Sequence, residues 1–276
     1  MDEKAVKKTE RMRIAEIQMR VTADKEENLV HAARLVEQAM EEKPDFVALP
    51  EMFCCPYTSS TFSYYAEEEN GSTDRFLSEL AKKHGIWLIG GSMPEREHDA
   101  LYNTCYVYDR TGKKVAKHRK VHLFDVAFPD GKSYRESRSL SPGKGITVFD
   151  TEFGKCGVII CFDIRFLKLF HEMQKEGVRL VFVPASFNMT SGPAHWELLF
   201  RSRAVDNQIY MAGISTARDE DGKYVSYGHS LAVDPWGTVL KEFDETEGIL
   251  TADLDLSYLD TVRRSLPIGN EIFGTK

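Results

Sequence analysis

Cys161 closes the apolar run Val158-Ile159-Ile160 and stands a few residues ahead of a helical segment, Phe166–Lys175. A thiol at the mouth of a parallel sheet, near a helix N-terminus, sits where ligands bind and where thiolate is favoured. That is nucleophile chemistry; the plain alternative is a buried structural cysteine. Glu51 directly follows Phe46-Val47-Ala48-Leu49-Pro50. A carboxyl held against an apolar wall has a raised pKa and suits general base work, whereas a solvated strand end has neither property. Lys120 lies in Lys117-His118-Arg119-Lys120-Val121-His122, whose alternation puts His118, Lys120 and His122 on one strand face. A lysine aimed into a site stabilises a developing oxyanion; a solvated basic edge strand is the alternative. The two histidines invite a zinc reading, but HExxH is absent and no third ligand stands nearby, so no metal is expected. Arg165, four residues beyond Cys161, either clamps a carboxylate bidentately or pairs with Asp163. Glu136, on a loop before Ser141-Pro142-Gly143, carries no signal alone. His195-Trp196-Glu197 opens a helix and reads as a cap with core packing.

These residues need a frame. The chain has 276 residues, 42% hydrophobic and 29% charged, enough for a sizeable core in one large or two small domains. Thirty-six basic against 43 acidic residues give a net charge of −7, which argues against a nucleic-acid partner and against a polybasic membrane anchor. No 18-residue apolar span exists and residues 1–12 read as a charged tail, so a cytoplasmic protein is expected. Five cysteines, Cys54, Cys55, Cys105, Cys156 and Cys161, form no CxxC, so a disulfide framework is not expected. Cys156 and Cys161 are five apart on one strand-like run, which points them to opposite faces. Neither GxGxxG nor GxxxxGK[ST] occurs, which leaves nucleotide binding without support.

Periodicity predicts strands over Arg13–Met19, Phe46–Leu49, Ile86–Gly90, Leu101–Asp109, Lys113–Leu123, Lys155–Cys161, Leu180–Pro184, Gln208–Ile214, Ser230–Val233 and Gly248–Asp253. It predicts helices from Asp24 to Met40 and over Ser72–His84, Phe166–Lys175 and Ala194–Asn207. This alternation implies an α/β layered fold, and so many strands fit two packed sheets better than one.

Taken together, Leu49-Pro50-Glu51, His118-Arg119-Lys120-Val121-His122-Leu123-Phe124-Asp125 and Gly157-Val158-Ile159-Ile160-Cys161-Phe162-Asp163-Ile164-Arg165-Phe166 resemble, in order and spacing, the signatures of the nitrilase superfamily of carbon–nitrogen hydrolases. Phe187–Glu197 and Arg201–Gln208 are similar to the omega-amidase branch, which hydrolyses the terminal amide of 2-oxoglutaramate and 2-oxosuccinamate. The resemblance runs from about Arg13 to Pro267. It implies a four-layer αββα sandwich over residues 13–276, no cofactor, a small-molecule amide substrate and a homodimer. It makes Cys161 the nucleophile, Glu51 the general base, Lys120 the oxyanion stabiliser and Glu136 a second carboxylate that positions the substrate. Arg165 becomes the carboxylate clamp, with Phe187 and Phe162 at the pocket, Ser191 where close relatives carry Thr, and Tyr57 closing the pocket.

Two departures stand out. Phe162 replaces the usual Tyr after the nucleophile, and Pro267-Ile268-Gly269-Asn270 lacks the arginine-rich ending of the family. The competing readings are a sibling amidase or N-carbamoyl amidohydrolase with another small carboxylate substrate, a nitrile hydrolase, and a metabolite-binding protein on the same fold.

Overall fold

The computed structural model describes residues 10–129 and 131–268. Two β-sheets pack face to face. In spatial order the first contains Gly248–Asp255, Arg11–Gln18, Phe46–Ala48, Trp87–Ile89, Ala100–Tyr108, Met93–Glu97 and Glu67–Glu68, with Lys114–Arg119 also paired to Ala100–Tyr108. The second contains Thr147–Thr151, Gly154–Val158, Leu180–Ala185, Tyr210–Ser215, Leu231–Val233 and Val239–Glu242. The middle pairs of both sheets are parallel. Parallel neighbours require crossovers, and helices Lys25–Ala39, Ser72–His84, Leu167–Lys175 and Gly192–Asn207 supply them.

The two-residue period of each strand sorts side chains into layers. In Arg11–Gln18, Met12 and Ile14 face the second sheet, while Ala15 and Ile17 turn outward onto Leu29, Ala32 and Val36 of the first helix. Between the sheets, the Phe46 ring lies 5.3 Å from that of Phe182. Helices outside, sheets inside, and an apolar seam between them make the expected αββα arrangement. Among the described residues no helix is long and apolar enough to cross a membrane.

Local chemistry sets the element ends. Asp24 caps the first helix by accepting from the Glu27 N–H at 3.0 Å. Gly85, at φ +65°, ends Ser72–His84 at the predicted boundary. Several boundaries move, two of them with consequences here. Arg11 and Met12 are not tail: they pair with Asp255 and Leu254, because Met12 belongs to the inter-sheet core. The first nine residues of the predicted tail, like Gly269 and Asn270, lie outside the described residues. The strand leading to Cys161 ends at Val158, so Cys161 leaves the pleat, and the opposite-face argument for Cys156 and Cys161 does not apply.

One inward position breaks the pattern. Glu16 is fully buried on the seam side of its strand, and neither carboxyl oxygen has a hydrogen-bond partner among the described residues. Burial holds its pKa well above the ordinary carboxylate range. A group raised in this way costs nothing while protonated, and folding stability falls as pH climbs from its unfolded value toward its folded one. Glu16→Leu is therefore expected to stabilise the protein by about 1–3 kcal/mol at pH 7. The gain should shrink toward pH 4; urea melts at the two pH values measure it, and a loss of stability at pH 7 would contradict it.

Candidate active site

Three loops at one end of the seam deliver the predicted residues. Glu51 follows Phe46–Ala48 by a tight turn in which Met52 adopts φ +52° and donates its N–H to Ser92 Oγ at 3.0 Å. Gly91 backs that turn: a Cβ there would stand 2.3 Å from the Pro50 carbonyl oxygen. Lys120 follows the strand Lys114–Arg119, which stops four residues short of the predicted end. Its N–H still bonds the Asn103 carbonyl at 2.8 Å, so the pleat carries it inward. Cys161 begins a single 3₁₀ segment, Cys161–Arg165, at φ +47°. A non-glycine residue in this region is strained and holds its conformation only because its surroundings impose it.

Asp163 imposes it. Its carboxylate accepts from the Ile160 N–H at 3.2 Å, from the His122 N–H at 2.8 Å and from the Val121 N–H at 3.3 Å. It also meets His118 Nε2 at 3.1 Å and His122 Nδ1 at 2.8 Å. Burial alone would raise its pKa, but the two histidines and the N–H donors hold it well below the usual carboxylate range. So Asp163 ties the Cys161 turn to the Lys120 segment. This bears on two alternatives the sequence left open. Asp163 does not pair with Arg165, which instead reaches His195 Nδ1 at 3.2 Å. The two histidines are engaged with the Asp163 carboxylate, and among the described residues no group of three His, Cys, Asp or Glu side chains is arranged to hold a metal ion.

Glu51, Lys120, Glu136 and Cys161 come together, all buried. Lys120 Nζ donates to Glu51 Oε1 at 2.9 Å and lies 2.9 Å from Glu136 Oε2. Tyr57 donates its O–H to Glu136 Oε1 at 2.6 Å, and the Phe124 N–H donates to Glu136 Oε2 at 2.6 Å. Burial works against the Lys120 ammonium, yet Glu136 and Glu51 outweigh it and its pKa is raised. Burial pushes the Glu51 carboxyl up, and Lys120 offsets this only in part. The Cys161 thiol is pushed well above its ordinary value by burial first and by Glu51 second. Burial and the neighbouring carboxyl thus work against the thiolate that a position ahead of a helix favours, and leave a thiol beside the Glu51 carboxyl.

The other predicted residues line the recess in front of the sulfur. Phe162, Arg165, Phe187 and Ser191 share its wall with Phe124, Ser186 and Tyr224. The Arg165 guanidinium lies 5.3 Å from the Phe187 ring and 5.6 Å from the Phe162 ring. No carboxylate of the described residues pairs with it. Sequence reasoning missed Asn103, which donates to Glu51 Oε1 at 2.8 Å, and Tyr224, whose ring lies 4.6 Å from that of Tyr57 at a 41° tilt. Asn103 carried a signal, a polar residue at an inward position of an apolar strand; Tyr224, in a charged loop, carried none.

A carboxyl, an ammonium and a thiol, all buried together on an αββα frame, fit a class of hydrolases. Residues 13–264 match the carbon–nitrogen hydrolase family, and the chain belongs to it. It is 47% identical over 258 residues to omega-amidase NIT2 of Danio rerio, covering 94% of this chain and 93% of that one. It is 44% identical over 256 residues to omega-amidase NIT2 of Homo sapiens, covering 93% of both. The crystal structure of Saccharomyces cerevisiae Nit3, a member of branch 10 of the nitrilase superfamily, superposes with a TM-score of 0.87 at 39% identity, covering 94% of this chain and 96% of that one.

Proposed function

We propose that the protein is an omega-amidase that hydrolyses the terminal amide of 2-oxoglutaramate and 2-oxosuccinamate to the acid and ammonia. The observation that carries this is the Arg165 guanidinium, without a carboxylate partner among the described residues, across one recess from a thiol backed by Glu51 and Lys120. The guanidinium binds the distant carboxylate through two parallel hydrogen bonds and so sets the amide carbon against the sulfur.

An amide resists attack because its carbonyl is a weak electrophile and its nitrogen a poor leaving group. Glu51 takes the Cys161 proton as the sulfur adds to the carbonyl carbon. The Lys120 ammonium and the Phe162 N–H hold the oxyanion. Glu51 returns the proton to nitrogen, the C–N bond breaks, and ammonia leaves a thioester. Glu51 then deprotonates water, hydroxide adds to the thioester, the C–S bond breaks and the proton returns to sulfur. Glu136 fixes Lys120 and Tyr57 and so positions the substrate, while Phe187, Ser191 and Phe162 shape the pocket. No cofactor enters these steps.

Ammonia release from 2-oxoglutaramate and succinamate tests the reading, together with an acyl adduct on Cys161 seen by mass spectrometry. Turnover of N-carbamoyl amino acids with neither of these would favour the sibling amidohydrolase. Arg165→Ala should raise KM for 2-oxoglutaramate by about 100-fold, the loss of a charge-assisted bidentate contact, and change kcat far less. An unchanged KM would remove the clamp.

The same reading makes residues 13–276 one hydrolase domain, a cytoplasmic one, working as a homodimer. All five cysteines are free, which suits a reducing compartment. Leu198 and Val205 lie two turns apart on one helix face, 61% and 40% exposed, and Trp236, 57% exposed, precedes Gly237, which packs close to Val205. Exposed apolar faces of this kind mark interfaces. Leu198→Asp is expected to shift the protein from dimer to monomer in sedimentation; a monomeric wild type would contradict this.

A further inference from the structure

Glu51 Oε1 accepts two hydrogen bonds, from Lys120 Nζ at 2.9 Å and from Asn103 Nδ2 at 2.8 Å. A carboxylate oxygen has two lone-pair sites, so Oε1 is filled. Oε2 is buried, and no N–H or O–H of the described residues donates to it. The Cys161 thiol stands beside the same carboxyl, and each group shifts the ionisation of the other. The two donors to Oε1 come from neighbouring strands. Thr104 pairs with Arg119, and one step further the Lys120 N–H donates to the Asn103 carbonyl oxygen at 2.8 Å. Residues directly opposite each other project from one face of a sheet, and both side chains meet Glu51 there. Asn103 is fully buried, and its Oδ1 has no partner among the described residues. An ionised carboxylate only accepts, so the amide turns Nδ2 to it. A buried carbonyl without a donor is destabilising. What the amide supplies in return is its contact with Glu51.

Resting on the amide-hydrolysis reading above, we propose that Asn103 is a positioning residue for the base: with Lys120 it occupies Oε1, fixes the carboxyl plane and leaves Oε2 as the one oxygen that moves protons. In acylation the Sγ–H bond breaks as Oε2–H forms and the sulfur pair adds to the carbonyl carbon. Oε2–H then breaks as N–H forms, and ammonia leaves with the C–N electron pair. In hydrolysis Oε2 takes a proton from water, hydroxide adds to the thioester, and the proton passes to sulfur as C–S breaks. Lys120 is shared with Glu136 at 2.9 Å and also meets the oxyanion, so Asn103 is the donor that serves Glu51 alone. A donor to a carboxylate favours its ionised form, so losing Asn103 raises the Glu51 carboxyl further. The titratable groups that face Glu51, namely Lys120, Glu136, Cys161, Tyr57 and Tyr224, all remain.

Asn103→Leu keeps the bulk and removes the donor, and Asn103→Asp keeps the shape and sets a second acid against Oε1. Each is to be followed against pH by kcat and KM for 2-oxoglutaramate and by the rate at which iodoacetamide alkylates Cys161. Alkylation forms an S–C bond, expels iodide and needs the thiol proton removed, but cleaves no amide. For Asn103→Leu the expected result is a fall in kcat of about tenfold with KM unchanged. The acid limb of both profiles should rise by about one pH unit, and it should rise further in Asn103→Asp, where a like charge is added. Where Asn103→Leu does not fold, Asn103→Asp decides alone. Acid limbs that stay at the wild-type position overturn the proposal even if kcat falls, because lost packing lowers kcat without moving a pKa. A raised KM with kcat intact overturns it as well. A wild type that is alkylated at Cys161 but releases no ammonia from 2-oxoglutaramate refutes the substrate reading alone, and the alkylation profiles still decide the role of Asn103.

Discussion

Glu51→Gln should lower kcat/KM for 2-oxoglutaramate by about 10⁴-fold, the upper end for one general acid–base group, because the carboxyl acts in both half-reactions. The fold should survive. Gln keeps the size of Glu, and Lys120 keeps Glu136 as its counter-charge. The defect should depend on the leaving group. An aryl ester needs no proton to depart, so acylation from it should be damaged less than from the amide, and the thioester should persist. Stopped-flow acylation against steady-state ammonia release separates the two halves. Retention of a tenth of the wild-type rate would end the assignment of Glu51 as base. The pH profile of the wild type follows from the same group. Burial raises the Glu51 pKa, so the unprotonated base is lost as pH falls through a value above the usual carboxylate range. The acid limb of kcat/KM should lie there.

Lys120→Met should lose about 10³-fold in kcat, the cost of an oxyanion donor, and should also weaken the fold. Glu51 and Glu136 both rely on this one ammonium. Removing one member of a buried ion cluster typically costs about 3–5 kcal/mol, because the charges left behind have no counter-ion. Without Lys120 the burial that raises the Glu51 carboxyl loses its main offset, and that carboxyl is raised further in the folded state. Stability is then intact below its unfolded value and lost as pH rises toward the folded one. The deficit against wild type should be larger at pH 8 than at pH 5 in urea unfolding. Equal deficits would mean that the two carboxyls are compensated by something else.

Most of the frame was legible because the signals were local. Gly85 fixes the end of one helix, and apolar runs such as Leu180–Ala185 can only be central strands. Glu51, Lys120 and Cys161 were recognisable from the segments around them, Glu136 only through the family resemblance, and the four do converge. What stayed hidden was long-range. The Asp163 clasp joins residues more than 40 positions apart, and Asn103 reaches Glu51 from 52 positions away. Nothing local marks such partners. The pull on the Cys161 thiol was hidden for a related reason: a position before a helix favours thiolate, but the burial and the acid that work against it are properties of the assembled pocket.

Glu51 and Lys120 are carried by the eight-stranded sheet, whereas Cys161 is carried by the six-stranded one. The reacting atoms therefore face each other across a boundary between two slabs that no covalent cross-link joins near the site. A slip of one slab over the other by a fraction of an ångström alters the sulfur-to-base gap without breaking a single strand pairing. On heating, turnover should fade before circular dichroism reports any melting, and trimming an aromatic at the boundary, such as Phe182→Leu, should widen that interval.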